Sequence, residues 1–377
     1  MTQPPQTARH VAFVFLDLNG GGIERTMLVL AGEFARRGYR ADIVIMRSRG
    51  VLMDQVPEGV RLVELGIEGM RAAHLRGIRA FARYLRKERP DGIVSAAPML
   101  NLVAILGRVL ARSKARLVTS DRNDPKVAHY QGGRLKRMVL PRLTRWLYPL
   151  ADVNAAVSDG VRDALALHLR RPPERLATVY NPKDITPLPD PRPRHRWLRD
   201  KGTRRVILGV GRMHPQKNFP ALIEAFAQLA RTDPQLHLVI FGDGALRPEI
   251  EARAAASGLA DRIDLPGFTH TIRDELAAAD LFVLSSFNEG LPNVLIEALI
   301  EGTPVVATDC RFGPDEILMG GKLGALVPVG DTGALKVAME TTLASPPAPA
   351  PRAALERFST AGAADAYAAL LFPEDAG

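Results

Sequence analysis

Residues 205–226 read RVILGVGRMHPQKNFPALIEAF. The run RVILGVG (205–211) is apolar and too short for a buried helix, so it reads as a strand. The loop behind it carries Arg212 at the strand end and Lys217 five residues later. Asn218 then stands where a helix is capped, with Pro220 near the first helical position and apolar residues at helical spacing beyond. This is one strand–loop–helix unit, and the same unit recurs along the chain. In the first half the strands are expected at 11–16, 41–46, 61–65, 91–97, 115–120 and 153–158. In the second they are expected at 205–211, 237–243, 262–268, 281–286, 303–309 and 324–330. Helical stretches lie between them, such as IERTMLVLAGEFARRG, with Ile23, Met27, Leu30 and Phe34 on one face and Gly38 as its C-cap.

Such alternation is the signature of parallel sheets covered by helices. The segment NPKDITPLPDPRPRHR (181–196) interrupts it with five prolines in 16 residues, a density that blocks both helix and sheet. The expected fold is therefore α/β, with two doubly wound, Rossmann-like domains facing each other across a cleft. The first spans 1–181, a linker 182–204, and the second 205–352. The last helix pattern, in 353–377, is expected to pack back on the first domain. Ligands in such sheets bind beyond the carboxyl ends of the strands.

The totals narrow the function. The 377 residues suit two domains, and 46% hydrophobic with 24% charged residues is ordinary for a soluble protein. A single cysteine, Cys310, excludes a disulfide framework. Neither a signal peptide nor an apolar run of roughly 20 residues is found, so the expectation is a cytoplasmic protein, or one attached to a membrane only at its surface. The net charge of +9 is uneven: residues 1–180 hold 30 Lys and Arg against 16 Asp and Glu, residues 181–377 hold 20 against 25. The basic half suggests an anionic partner. At 6% aromatics and with no groove-reading motif, nucleic acid is not that partner. An anionic membrane or a phosphorylated acceptor fits it better.

The strand-end loops carry the chemistry. LNGGGIER (18–25) sets Gly20, Gly21 and Gly22 ahead of a helix, where backbone can approach a phosphate closely. A tight turn that merely needs glycine leaves the same trace, and the consecutive glycines fail the spacing of a dinucleotide fingerprint. Arg212 and Lys217 near a helix start can neutralise a pyrophosphate, although a lone pair of cations on a loop is ordinarily solvated. FGDGALRPEIE (241–251) adds the amides of Gly242 and Gly244, and LPGF (265–268) offers Phe268 as an apolar wall for a base. SFNEGLPNVLIEALIEG (286–302) places Glu289 ahead of a helix, with Pro292 at its first position and the amides of Leu291, Asn293 and Val294 facing an anion. Glu297 follows one turn on, as the usual reader of a ribose diol. Glu301, further along, reads as surface.

GGGIER, VGRMHPQKN, GDG, LPGF and the E-x7-E of NEGLPNVLIE occur in this order, and together they resemble the retaining glycosyltransferases of family 4, which have the GT-B fold. The resemblance covers nearly the whole chain. SDRNDP (120–125), TVYNP (178–182) and TDCRFGPDEIL (308–318) are similar to bacterial members that build surface polysaccharides.

The resemblance implies a hexosyl- or N-acetylhexosaminyltransferase. Its donor would be a nucleotide sugar, a UDP-sugar in the first place. Its acceptor would be lipid-linked or a polysaccharide or lipopolysaccharide, at the inner face of the cytoplasmic membrane. Arg212 and Lys217 would hold the donor diphosphate, with Gly21 and Gly22 facing it from the other domain. Glu289 would contact the sugar, Glu297 the ribose, and backbone near Phe268 the base, with Gly290, Leu291, Asn293 and Val294 completing the donor site. Family members often carry a first-domain acid or histidine near the reacting carbon, and Asp121, Arg122, Asn123 and His129 are the candidates here. SDRNDP stands where the closest relatives would have SERNDP, which bears on the acceptor side. No D-x-D triplet occurs, so no divalent metal and no cofactor is expected. Two other classes fit the architecture: a nucleotide-sugar epimerase and a non-catalytic nucleotide-sugar-binding protein.

Two basic stretches remain. GGRLKRMVLPRLTRWLYPL (132–150) sets Arg134, Lys136, Arg137, Arg142 and Arg145 among Leu135, Met138, Leu143, Trp146 and Leu147, a cationic amphipathic pattern that can lie on an anionic membrane. RAAHLRGIRAFARYLRKERP (71–90) is the second. Each is more often a solvated helix packed by its apolar face.

Overall fold

His10–Phe15 (β1) is buried along its whole length, which is why its sequence is an uninterrupted apolar run after the histidine. The computed structural model describes residues 8–19, 21–68, 70–126 and 134–375. β1 is an inner strand of a parallel sheet with Arg40–Ile45 (β2), Val60–Glu64 (β3), Gly92–Ala96 (β4), Arg116–Asp121 (β5), Val153–Ala156 (β6) and Ala177–Thr178 (β7), in the order β3-β2-β1-β4-β5-β6-β7. The second parallel sheet contains Arg205–Val210 (β8), Leu236–Phe241 (β9), Ile263–Gly267 (β10), Leu281–Leu284 (β11), Val305–Thr308 (β12) and Ala325–Val327 (β13). Its order is β10-β9-β8-β11-β12-β13.

Both sheets are doubly wound. The chain builds outward from β1 and from β8, then returns to add β4 and β11 on the opposite side. Loops leaving β1 and β4 therefore diverge, as do those leaving β8 and β11. Such switch points open a crevice at the carboxyl ends of the strands.

The chain divides into two compact units, residues 1–184 with 357–377, and residues 185–356. In the first, the helix Gly22–Arg36 packs Phe34 edge-on to Phe13, and Gly38 just beyond it takes the left-handed φ of 86° that favours glycine. The closing helix Thr360–Leu371 belongs to this unit: Arg37 Nη2 donates to Ala361 O at 3.0 Å and Arg116 Nε to Leu370 O at 2.7 Å.

The proline-rich stretch expected as a linker is only partly one. Residues 185–204 pack on the second unit, burying Ile185, His195, Trp197 and Leu198. Prolines remove donors, but the remaining N–H groups are met by carboxylates. Leu188 N donates to Glu301, Arg192 N to Asp274, and Arg194 N and His195 N to the buried Glu275, at 2.8–3.3 Å. The second unit thus begins about twenty residues before the expected 205.

Candidate active site

The loops leaving β8 and β11 flank the switch point of the second unit, and side chains from the two touch across it. β8 ends at Val210, and Gly211 follows with φ 155°. A Cβ on Gly211 would lie 2.7 Å from Lys217 Cε, so the lysine stem runs across a position only glycine fills. A short 3₁₀ turn, Pro215–Lys217, carries the lysine, with His214 Nδ1 accepting from Gln216 N at 3.3 Å. Asn218 does not cap the next helix, Phe219–Ala230, with its side chain as expected. It takes φ 48°, and its carbonyl accepts Ala221 N instead.

Lys217 Nζ donates to Glu289 Oε1 at 2.7 Å, and Ser286 Oγ donates to the same oxygen at 2.7 Å. Gln216 Nε2 reaches Asn288 O at 2.7 Å and Glu289 Oε2 at 3.4 Å. The backbone around the glutamate is fixed from three sides. Phe287 N donates to Gln216 O, Glu289 N to Arg311 O, and Phe312 N to Glu289 O, at 2.6–2.8 Å. The pair is largely withdrawn from water, and burial, reinforced by the Glu289 charge, pushes the neighbouring Cys310 thiol up to about 12. Arg212 is exposed, and its side chain makes no hydrogen bond or ion pair among the described residues.

The helix Asn293–Ile300 starts one residue later than expected, with Pro292 as its N-cap rather than its first residue. Gly290 and Leu291 are buried in the turn, while Asn293, Val294 and Glu297 are half-buried. Gly313, at φ 99°, lies against this turn: a Cβ there would be 2.7 Å from Pro292 Cδ and 3.0 Å from Gly290 O. Glu301 corrects its reading as surface. Its side chain is 1% exposed and binds Arg273 as well as Leu188 N.

Gly242 and Gly244 serve otherwise than as free amides. Gly242 N is taken by Gly267 O at 2.8 Å and Gly244 N by Asp243 Oδ1 at 2.7 Å. A Cβ would fall 1.9 Å from Gly211 O and 2.5 Å from Met213 O respectively, so these glycines let the β9 loop press against the loop that carries Arg212. Phe268 is exposed, with its ring edge-on to His270 at 4.9 Å. In the first unit, Gly21 is the N-cap of Gly22–Arg36, and a Cβ on it would meet Glu24 Oε2 at 2.4 Å. Gly20 and His129 lie outside the described residues.

Residues 20–187 match the model of Glycosyltransferase Family 4, and residues 204–345 match that of Glycosyl transferases group 1. The chain belongs to glycosyltransferase family 4. It is 32% identical over 243 residues to a Campylobacter jejuni N-acetylgalactosamine-N,N'-diacetylbacillosaminyl-diphospho-undecaprenol 4-alpha-N-acetylgalactosaminyltransferase, covering 64% of each chain. It is 37% identical over 139 residues to a Rhizobium meliloti lipopolysaccharide core biosynthesis glycosyltransferase, covering 37% of this chain and 39% of that one. The matched part is thus less than two thirds of the length of either relative. The solved structure of Anabaena Alr3699/HepE in complex with UDP and glucose superposes with a TM-score of 0.79 at 21% identity, over 97% of this chain and 100% of that one. The shared fold is GT-B.

In this family 4 chain the first-unit candidates are engaged internally. Asp121, expected as a catalytic candidate, closes β5 as a core carboxyl. It accepts Tyr148 OH and Asn101 Nδ2, both at 3.3 Å, while Ser95 Oγ donates to Asn101 Oδ1 at 2.7 Å. Burial raises its carboxyl to about 7. Arg122 reaches Asn181 Oδ1 and Met27 Sδ, and Asn123 Oδ1 accepts Asp124 N at 2.9 Å. Sequence reasoning missed Gln216, Ser286 and Arg311 as supports of Glu289. The signal for Arg311 was present in TDCRFGPDEIL, which follows a strand of the same sheet. Among the described residues, no three His, Cys, Asp or Glu side chains gather as a metal site requires, and no helix is long and apolar enough to cross a membrane.

Proposed function

We propose that this chain is a retaining, metal-independent glycosyltransferase without a cofactor. In this reading it moves a sugar from a nucleotide sugar, a UDP-sugar, to a lipid-linked or polysaccharide or lipopolysaccharide acceptor in cell-envelope synthesis. It would work at the inner face of the cytoplasmic membrane. The observation that carries the reading is the Lys217–Glu289 pair at the β8/β11 switch point, with Arg212 exposed on the same loop. Family membership supports the reaction class. The undecaprenol named for the Campylobacter relative supports the lipid-linked acceptor, and UDP in the Anabaena protein supports the nucleotide.

Each residue then has a task. The donor diphosphate takes Lys217 Nζ and the Arg212 guanidinium as its counter-charges, and the turn Gly290, Leu291, Asn293 and Val294 faces it with the start of a helix. Gly21 and Gly22 open a helix in the first unit, where a helix start likewise suits an anion. Glu289, freed in part from Lys217, accepts from the sugar hydroxyls, and Glu297 from the ribose diol. Phe268 lies along the base. The bond from the anomeric carbon to the diphosphate oxygen breaks as the acceptor hydroxyl adds on the same face, its proton passing to the departing diphosphate. No glycosidase-like carboxylate nucleophile is required. Stabilising the leaving group is the main catalytic contribution, and one such donor is worth about 100-fold in rate or more.

The test is transfer of labelled sugar to a membrane extract, beside a thermal-shift screen of nucleotide sugars. Lys217→Ala and Glu297→Ala should each abolish transfer and keep the far-ultraviolet circular dichroism of the wild type. Full activity in both variants overturns the site. Conversion of the nucleotide sugar without acceptor overturns the reaction in favour of an epimerase.

A further inference from the structure

The first sheet opens, at the amino ends of its strands, on a cavity of about 890 Å³. Asp91 precedes β4, Arg116 begins β5 and Asp152 precedes β6, so the lining comes from the edge opposite to the one that carries Gly21 and Asp121. At the usual rise of a strand, Arg116 stands about 16 Å from Asp121 at the other end of β5. The cavity is therefore a separate place from the crevice at the carboxyl ends. Its volume is that of a site for a small organic molecule rather than for a lone ion.

Six cations line the cavity against three carboxylates, and each carboxylate is already engaged. Asp91 accepts His10 N at 2.8 Å, Asp152 accepts Leu117 N at 2.8 Å and pairs with Arg108 at 2.9 Å, and Glu374 pairs with Arg9 at 3.0 Å. Arg86 and Arg116 donate to the carbonyls of Leu110 and Leu370, which leaves their charges standing. The side chains of Arg89, Arg112 and Lys114 are exposed and make no hydrogen bond or ion pair among the described residues.

Arg89 and Arg112 follow the ends of the helices Met70–Glu88 and Pro98–Ala111, at φ 48° and 52°. Glycine takes this left-handed position at a helix end at lower cost. An arginine there also suits the helix dipole, and Arg170 has the same conformation at the end of Asp159–Leu169. What sets Arg89 and Arg112 apart is that both line one concavity with Lys114. A concave wall of one sign of charge concentrates an oppositely charged ligand, and guanidinium forks match the oxygens of a phosphate. Leu85 and Phe372 in the same wall give apolar surface to the rest of the molecule. We propose that this cavity binds a small phosphorylated molecule, its phosphate oxygens held by Arg89, Arg112 and Lys114. The proposal does not depend on the reaction read from the other edge of the sheet.

The experiment is calorimetric titration of the full chain, in phosphate-free buffer, with inorganic pyrophosphate and with ribose 5-phosphate. Wild type should bind at least one of them with Kd below about 1 mM. Arg89→Gly with Arg112→Gly and Lys114→Ser should weaken that binding at least about tenfold, the loss of one charge-assisted hydrogen bond or more. Glycine relieves both left-handed positions and Lys114 is exposed, so this triple variant should melt at or close to the wild-type temperature. Lys217→Met, at the candidate donor site, should keep the binding. Wild type that binds neither anion, or a triple variant that binds them undiminished, overturns the proposal. So does binding that Lys217→Met loses and the triple variant keeps, because the anion would then sit at the candidate donor site. Wild type that binds phosphatidylglycerol vesicles and neither soluble anion overturns it as well, since the cations would then face a lipid surface.

Discussion

Replacing Lys217 by Met isolates the ion pair at the switch point. Methionine keeps an unbranched stem across Gly211 and removes only the ammonium. Glu289 is then a buried carboxylate without its cation, retaining Ser286 Oγ at 2.7 Å and Gln216 Nε2 at 3.4 Å as donors. Breaking a buried pair by deleting one partner costs about 3–5 kcal/mol. Because the lysine side chain keeps 16% exposure and two donors remain, the expected cost falls to about 2 kcal/mol. For a unit of this size that is a fall of about 4–8 °C in Tm. Glu289→Gln added to Lys217→Met removes the stranded charge, so the double variant should be more stable than the sum of the two single losses by about 1 kcal/mol or more. Calorimetry of the four proteins completes the cycle. A Lys217→Met protein that melts within about 1 °C of wild type, or strictly additive losses, would refute the coupling.

Two further outcomes test features outside the pair. Glu301→Ala should strand Arg273 and release Leu188 N at once, costing about 2–3 kcal/mol and opening the proline-rich segment to trypsin at Arg194; unchanged digestion would show that the carboxylate does not hold the segment. Asp121 has its folded-state carboxyl at about 7 against an unfolded value near 3.9, so between those pH values the native state holds a proton that the unfolded state has lost. Its contribution to stability therefore declines as pH rises from about 4 to about 7. Asp121→Asn should gain on wild type by at most about 1.4 kcal/mol per pH unit across that window, measured by urea unfolding, and a pH-independent difference would refute the buried carboxyl.

Most of the strands were legible because they are buried within a parallel sheet and so read as apolar runs, as β1, β4 and β11 do. β7 escaped: Ala177–Thr178 is two residues inside ERLATVYNP and joins the sheet only through pairing with β6. The prolines of 181–196 were equally plain, but what they do was not. A run without donors reads as free, and the carboxylates that bind its few N–H groups, Glu275 and Glu301, stand 81 and 113 residues away from their partners. Local pattern carries no trace of such a pairing.

The same limit divides the acidic residues of the site. Glu289, Glu297 and Glu301 are indistinguishable by composition, and spacing alone assigned Glu301 to the surface. What separates them is which distant loop each one meets. Glu289 faces Lys217 from β8 because β8 and β11 are neighbours only after the chain has wound out to β10 and returned. Glu301 caps the far end of the helix Asn293–Ile300, where it meets Arg273 and Leu188 N of the proline-rich segment. The order of strands, not the motif, therefore decides which carboxylate stands beside a cation at the carboxyl edge of the sheet. It follows that a change in the loop 211–217 should alter Glu289 as much as a change beside it, since the glutamate has no position of its own: Gln216, Lys217 and the Arg311 backbone hold it from loops that leave other strands.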